Sequence, residues 1–190
     1  LFIVFTFWAF GSAKAQEKVP RSESFFGLHF DFHATDKDKE LGGRFDTDIL
    51  EEFLKRTKPD FIQIDSKGHP GYSSYPTKVG YSANSFARDP LRIWRDVTNK
   101  YNVPLYVHYS GIWDEKAIRE NPGWARRNAD GSIDSSKAAY FGDYSSRLLI
   151  PQLKEMIDWY GIDGVWIDGD CWSTGPDYSR KNVDAFRKYS

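Results

Sequence analysis

Cysteine is nearly absent from this chain. One residue, Cys171, stands among 190, which excludes an internal disulfide framework and a zinc knuckle built on thiolates. A surplus of one charge is absent too: 26 basic against 27 acidic residues leave a formal net charge of −1. So balanced a chain carries no general cationic field for nucleic acid or anionic lipid. The candidate membrane run, Leu1 to Phe10, is too short to span a bilayer as a helix. No glycine-rich phosphate loop follows the first strand-like segment, which argues against a nucleotide-binding sheet. Aromatic side chains, by contrast, are abundant: 7 Trp, 11 Tyr and 14 Phe. They suit either a bulky core or a pocket that stacks flat rings such as sugars. With 40% hydrophobic residues the chain has material for one globular domain and is not a disordered sequence.

The N-terminus reads as a secretion signal. Leu1 to Phe10 is apolar and uncharged, and Ala13-Lys14-Ala15 fits a small-x-small cleavage pattern with the cut before Gln16. Residues 1–15 are therefore expected to be a partial signal peptide. Residues 16–190 are expected to form a domain that works outside the cytoplasm, secreted or periplasmic. A lone thiol agrees with that compartment.

The remainder alternates strand and helix. Phe25 to Ala34 has period-two alternation, Leu28, Phe30 and Phe32 against His29, Asp31 and His33. Ile49, Leu50, Phe53 and Leu54 then recur at helical spacing behind the capping candidates Asp46, Thr47 and Asp48. Phe61 to Asp65 is a second strand. Asp89-Pro90 opens a second helix that runs to about Tyr101. Pro104 to Ser110 is a third strand. Ser145 to Tyr160 is a third helix, with Pro151 near its start and Gly161 as its C-cap. Gly164 to Asp170 is a fourth strand, and Asp177 to Tyr189 a fourth helix.

This order means a parallel α/β sheet, either open and doubly wound or closed as a (β/α)8 barrel. A barrel takes roughly 250 residues. The expectation is a (β/α)8 TIM barrel truncated after about four β/α units, its N-terminal half, cut short at both ends.

Parity sorts the polar residues. His29, Asp31 and His33, then Gln63 and Asp65, then Tyr106, His108 and Ser110, then Trp166, Asp168 and Asp170 share one face of their strands. They crowd the carboxyl ends, where barrel enzymes keep their chemistry. His69 follows Asp65 in the next loop, so all four histidines fall on or just above that face. Carboxylates with aromatic neighbours (Tyr72, Tyr109, Trp113, Trp166, Trp172) suit glycoside hydrolysis. Converging His and Asp would instead suit a metal-dependent hydrolase. Against that second reading, strand residues two and four apart are separated by roughly 7 and 13 Å, so His29 and His33 cannot easily share one ion. A third reading is a non-catalytic, carbohydrate-binding barrel.

Tyr160-Gly161-Ile162-Asp163-Gly164-Val165-Trp166-Ile167-Asp168-Gly169 resembles the Tyr-Gly-x-Asp-Gly-x-Trp-x-Asp-Gly block of alpha-L-fucosidase-like glycoside hydrolases. Phe26-Gly27-Leu28 is similar to their first strand, and Lys67-Gly68-His69-Pro70-Gly71-Tyr72 to their Lys-His-His-Asp-Gly-Phe block. His108-Tyr109-Ser110-Gly111-Ile112-Trp113 resembles their Tyr-Tyr-Ser-x-x-Trp stretch. Asn121-Pro122-Gly123-Trp124 with Asn128-Ala129-Asp130-Gly131 is similar to an insertion in secreted members of this barrel type. The resemblance implies a retaining hydrolase that needs no cofactor and no metal. Asp168 would be the nucleophile, with Asp170 the alternative, and the acid/base would lie beyond Ser190. A carbohydrate substrate is expected to meet His29, Asp31, His33, Asp65, Lys67, His69, His108, Tyr109, Trp113, Trp166 and Trp172. Gly68 and Pro70 stand where that family's block has His and Asp.

Overall fold

The computed structural model describes residues 18–135, 138, 139 and 141–168. The expected signal at 1–15, the residues Asp170 and Trp172 and the expected fourth helix lie outside the described residues. Local signals place the elements that are described. Asp46 accepts from the backbone N–H groups of Asp48 and Ile49 at 2.9 and 3.3 Å and opens α1, Thr47–Thr57. Asp89 accepts from Arg92 at 3.1 Å, and Pro90 occupies the first turn of α2, Pro90–Lys100. Asp114 caps the short α3, Glu115–Glu120. After α4, Phe141–Tyr144, the chain passes through a π-helical turn, Ser145–Leu149, into α5, Ile150–Tyr160. Pro151 lies in the first turn of α5, and Gly161 ends it in the left-handed region at φ 59°. The single helix expected over 145–160 is thus a π turn joined to a helix.

Four strands form one parallel sheet in the order β1-β2-β3-β4: Gly27–Phe30, Phe61–Lys67, Leu105–Tyr109 and Gly164–Ile167. Sequential strands that pair in parallel through intervening helices are the first half of a barrel wall, and among the described residues the sheet does not close. Leu28, Ile62, Ile64, Leu105, Val107, Val165 and Ile167 turn to the helices and meet Leu54, Leu91, Trp94, Val97, Leu153 and Met156. Each fully buried aliphatic side chain there contributes roughly 1.5–3 kcal/mol. Ile49, expected on the packed face of α1, is exposed instead.

All four strand ranges differ from expectation, and at β1 and β4 the difference falls on site residues. β1 ends at Phe30, so Asp31 and His33 lie beyond the ladder. β4 ends at Ile167, so Asp168 is the first residue past the strand. Its backbone N–H still donates to the Tyr109 carbonyl at 2.9 Å.

β2 carries a bulge. Asp65 pairs with His108, but Lys67 pairs with Tyr109, so two residues of β2 oppose one of β3. Simple alternation places Lys67 on the inner face, and the bulge turns it to the helix side. Lys67 is 1% exposed, and its ammonium sits 4.3 Å from the Tyr109 ring centroid. It donates to Asp114, and to the Tyr144 hydroxyl at 3.0 Å. Burial lowers the Lys67 pKa, with Asp114 opposing. Tyr144 donates to the Gly111 carbonyl at 2.6 Å. This buried pair ties β2, the loop after β3 and α4 together.

Removing one partner of such a pair strands a buried charge and costs about 3–5 kcal/mol. Asp114→Ala in the intact protein is expected to lose that much stability in urea unfolding. Adding Lys67→Met should recover part of it.

Candidate functional site

The inner face of the sheet presents its polar residues in register. His29 aligns with Gln63 and Gln63 with Tyr106, while Asp65 aligns with His108 and His108 with Trp166. His29 Nδ1 meets the Gln63 amide at 3.1 Å. The His108 ring lies 5.1 Å from Trp166, 6.0 Å from His29 and, stacked, 5.5 Å from His33. His33 in turn lies 5.6 Å from His69, whose ring meets Trp113 at 4.8 Å. All four histidines are therefore one connected group at the carboxyl ends of the strands.

Each imidazole has an orienting partner. His108 is buried and its Nδ1 donates to Asp65 Oδ1 at 2.6 Å. Burial alone would lower the His108 pKa, but the hydrogen bond and charge of Asp65, with Asp31 and Asp168 behind it, outweigh that and raise it. Burial pushes the Asp65 carboxyl up, and His108 opposes the shift. Asp31 Oδ1 stands 3.1 Å from His33 Nε2. The Ser110 hydroxyl donates to the Trp113 carbonyl at 2.6 Å, so it can only accept from His69 Nδ1, also at 2.6 Å. That leaves His69 Nε2 facing the pocket, with Asp168 Oδ2 at 3.9 Å. Desolvation lowers the His69 pKa, and Asp168 opposes it.

Asp168 Oδ2 is 3.5 Å from His108 Nε2, so this carboxylate lies between two imidazoles. Gly111 makes the approach possible. It has φ 67°, and a Cβ there would sit 2.8 Å from both the Asp168 carbonyl oxygen and the Ile167 side chain.

Of the expected site residues, His29, Asp31, His33, Asp65, His69, His108, Trp113, Trp166 and Asp168 surround this face. Lys67 and Tyr109 do not. The bulge turns Lys67 to the helix side, and Tyr109 has the helix-facing parity, fully buried and donating to Gln152 Oε1 at 2.7 Å. Sequence reasoning missed the roles of Ser110, Gly111 and Asp114. The run Ser110-Gly111-Ile112-Trp113-Asp114 was their signal: a hydroxyl at a strand end, then glycine, then a capping carboxylate.

The family model for Alpha-L-fucosidase matches residues 6–189. The chain belongs to the alpha-L-fucosidase family. Tissue alpha-L-fucosidase of Bos taurus is 24% identical over 160 residues, 81% of this chain and 32% of that protein. Alpha-L-fucosidase isoenzyme 2 from Paenibacillus thiaminolyticus superposes with a TM-score of 0.67 at 21% identity, over 86% of this chain and 26% of that one. Alpha-L-fucosidase AlfC from Lactobacillus casei, solved in complex with its alpha-L-fucose product, superposes at 0.55 with 20% identity, over 77% and 49%. The chain spans about a third of the curated relative it matches. A Cβ at Gly68 would lie 2.2 Å from His33 Cγ, so a glycine at 68 leaves room for the His33 ring.

Nitrogen-resolved NMR of the histidine side chains should show His69 protonated at Nδ1 when neutral. Ser110→Ala should shift that ring toward the other tautomer and leave the fold unchanged.

Proposed function

We propose that this chain supplies the nucleophile side of an alpha-L-fucosidase-type glycoside hydrolase active site that works outside the cytoplasm, secreted or periplasmic. The observation that carries the reading is the placement of Asp168. It stands at the end of β4, its backbone bonded to β3 and its carboxylate beside His108 and His69. A nucleophile must be held rigidly against the anomeric carbon, and a strand end pinned by a neighbouring strand does this better than a loop.

In a retaining mechanism Asp168 attacks the anomeric carbon and forms a glycosyl ester. The glycosidic C–O bond breaks as a second carboxyl gives its proton to the leaving oxygen. That second group then takes a proton from water, and the hydroxide displaces Asp168. The acid/base carboxyl that partners Asp168 in such a mechanism should stand about 5–5.5 Å from it. The sugar would rest against Trp166 and Trp113, with His69 Nε2 and His29 as partners for its hydroxyls.

Asp168→Ala in the full-length protein should lower turnover of an aryl alpha-L-fucoside by several orders of magnitude and leave the melting temperature little changed. Azide should partly restore the reaction and yield a glycosyl azide of inverted configuration. Unchanged turnover, or a loss that azide does not touch while Asp170→Ala is azide-rescued, would remove Asp168 from the role.

A further inference from the structure

We propose that Asp31, His33, Asp65 and His108 form a binding site for one divalent transition-metal ion of zinc type. The set joins two imidazoles and two carboxylates, a mixture of donors such ions accept. It is not the trio that strand spacing offers along β1. The ladder ends at Phe30, so the chain beyond it is free to fold back and bring Asp31 and His33 together. Each of the four residues offers one ligand atom, and these atoms all lie within 4.8 Å of one another. Asp31 Oδ1 is 3.1 Å from His33 Nε2 and 3.9 Å from His108 Nδ1, and His108 Nδ1 is 2.6 Å from Asp65 Oδ1. Bonds of about 2.0–2.2 Å to a shared tetrahedral centre put ligand atoms roughly 3–3.5 Å apart, so small side-chain shifts suffice.

A second observation points the same way. Asp65 and His108 are nearly inaccessible to solvent, yet Asp65 Oδ2 and His108 Nε2 have no hydrogen-bond partner among the described residues. A buried carboxylate with an unmet oxygen is costly. A cation bound by Asp65 removes that cost. When the ion displaces the proton from His108 Nδ1, the ring carries its proton on Nε2, 3.5 Å from Asp168 Oδ2. A carboxylate behind a ligating histidine is the usual outer partner of such a site. Gly68 leaves the room that lets His33 reach inward. Asp31 and His33 are partly exposed and border the solvent side, which gives the ion its way in.

The ion takes no step in the hydrolysis described above. It fixes His108 and the loop after β1. The inference does not depend on the glycosidase reading, because binding is measured without sugar.

The test is equilibrium dialysis of the untagged, chelator-stripped full-length protein against zinc, with metal counted by mass spectrometry. One ion per chain is expected. Asp31→Asn and His33→Ala, both at partly exposed positions that the fold tolerates, should each weaken binding at least about tenfold, as should Asp65→Asn. His29→Ala, on the same face but outside the set, should keep one ion. A cobalt-loaded sample should show the intense visible absorption of a tetrahedral site, and His33→Ala should lose it. Less than a tenth of an equivalent at about 100 µM zinc would overturn the proposal. So would equal losses in His29→Ala and His33→Ala, which would mean surface histidines only.

Discussion

One register shift in β2 organises the structure. Between Asp65 and Lys67 the strand gives two residues to one of β3. Before the shift, Asp65 looks inward and pairs with His108. After it, Lys67 looks outward into the core. A regular strand would have placed a carboxylate and an ammonium on the same face, close enough to neutralise each other. The bulge sends each to its own partner. Asp65 orients an imidazole beside Asp168, while Lys67 binds Asp114 and Tyr144 and locks the loops that carry His69, Ser110 and Trp113. The polar face and its supporting frame therefore have a common origin.

The electrostatics of the inner face follow from this arrangement. Three carboxylates, Asp31, Asp65 and Asp168, are interleaved with four imidazoles, and none stands alone. His108, buried among them, is pushed toward its charged form, whereas desolvation, against the pull of Asp168, pushes His69 toward its neutral form. Two rings of the same type thus acquire opposite tendencies from their surroundings. His69 is held in one tautomer by a serine that has already spent its own proton on a carbonyl.

Some residues do more than their sequence context announces. Asp163 reads as a turn residue before Gly164. In the fold it accepts from Lys18, Arg95 and the Leu105 backbone at 2.7, 2.7 and 2.8 Å, and these bonds keep its pKa low against the effect of burial. It anchors the start of β4 to the start of β3. Gly68 and Gly111 stand in the sequence only as members of motif stretches. In the fold each marks a close approach, one to the His33 ring and the other to the backbone of Asp168.

Alternation and capping chemistry alone determined the order of the four strands and of helices α1, α2 and α5, the parallel sheet, and the inward parity of His29, Asp65, His108 and Trp166. These are local properties, written in spacings of two and 3.6 residues and in the side chains that cap helices. Only the tertiary structure decided where the alternation stops. The bulge that turned Lys67 away, the early end of β1 that lets Asp31 meet His33, and the burial of Tyr109 beside Gln152 depend on neighbouring strands and helices. Parity is a rule about one strand, but which residue breaks it is settled by the partner across the ladder and the space behind it.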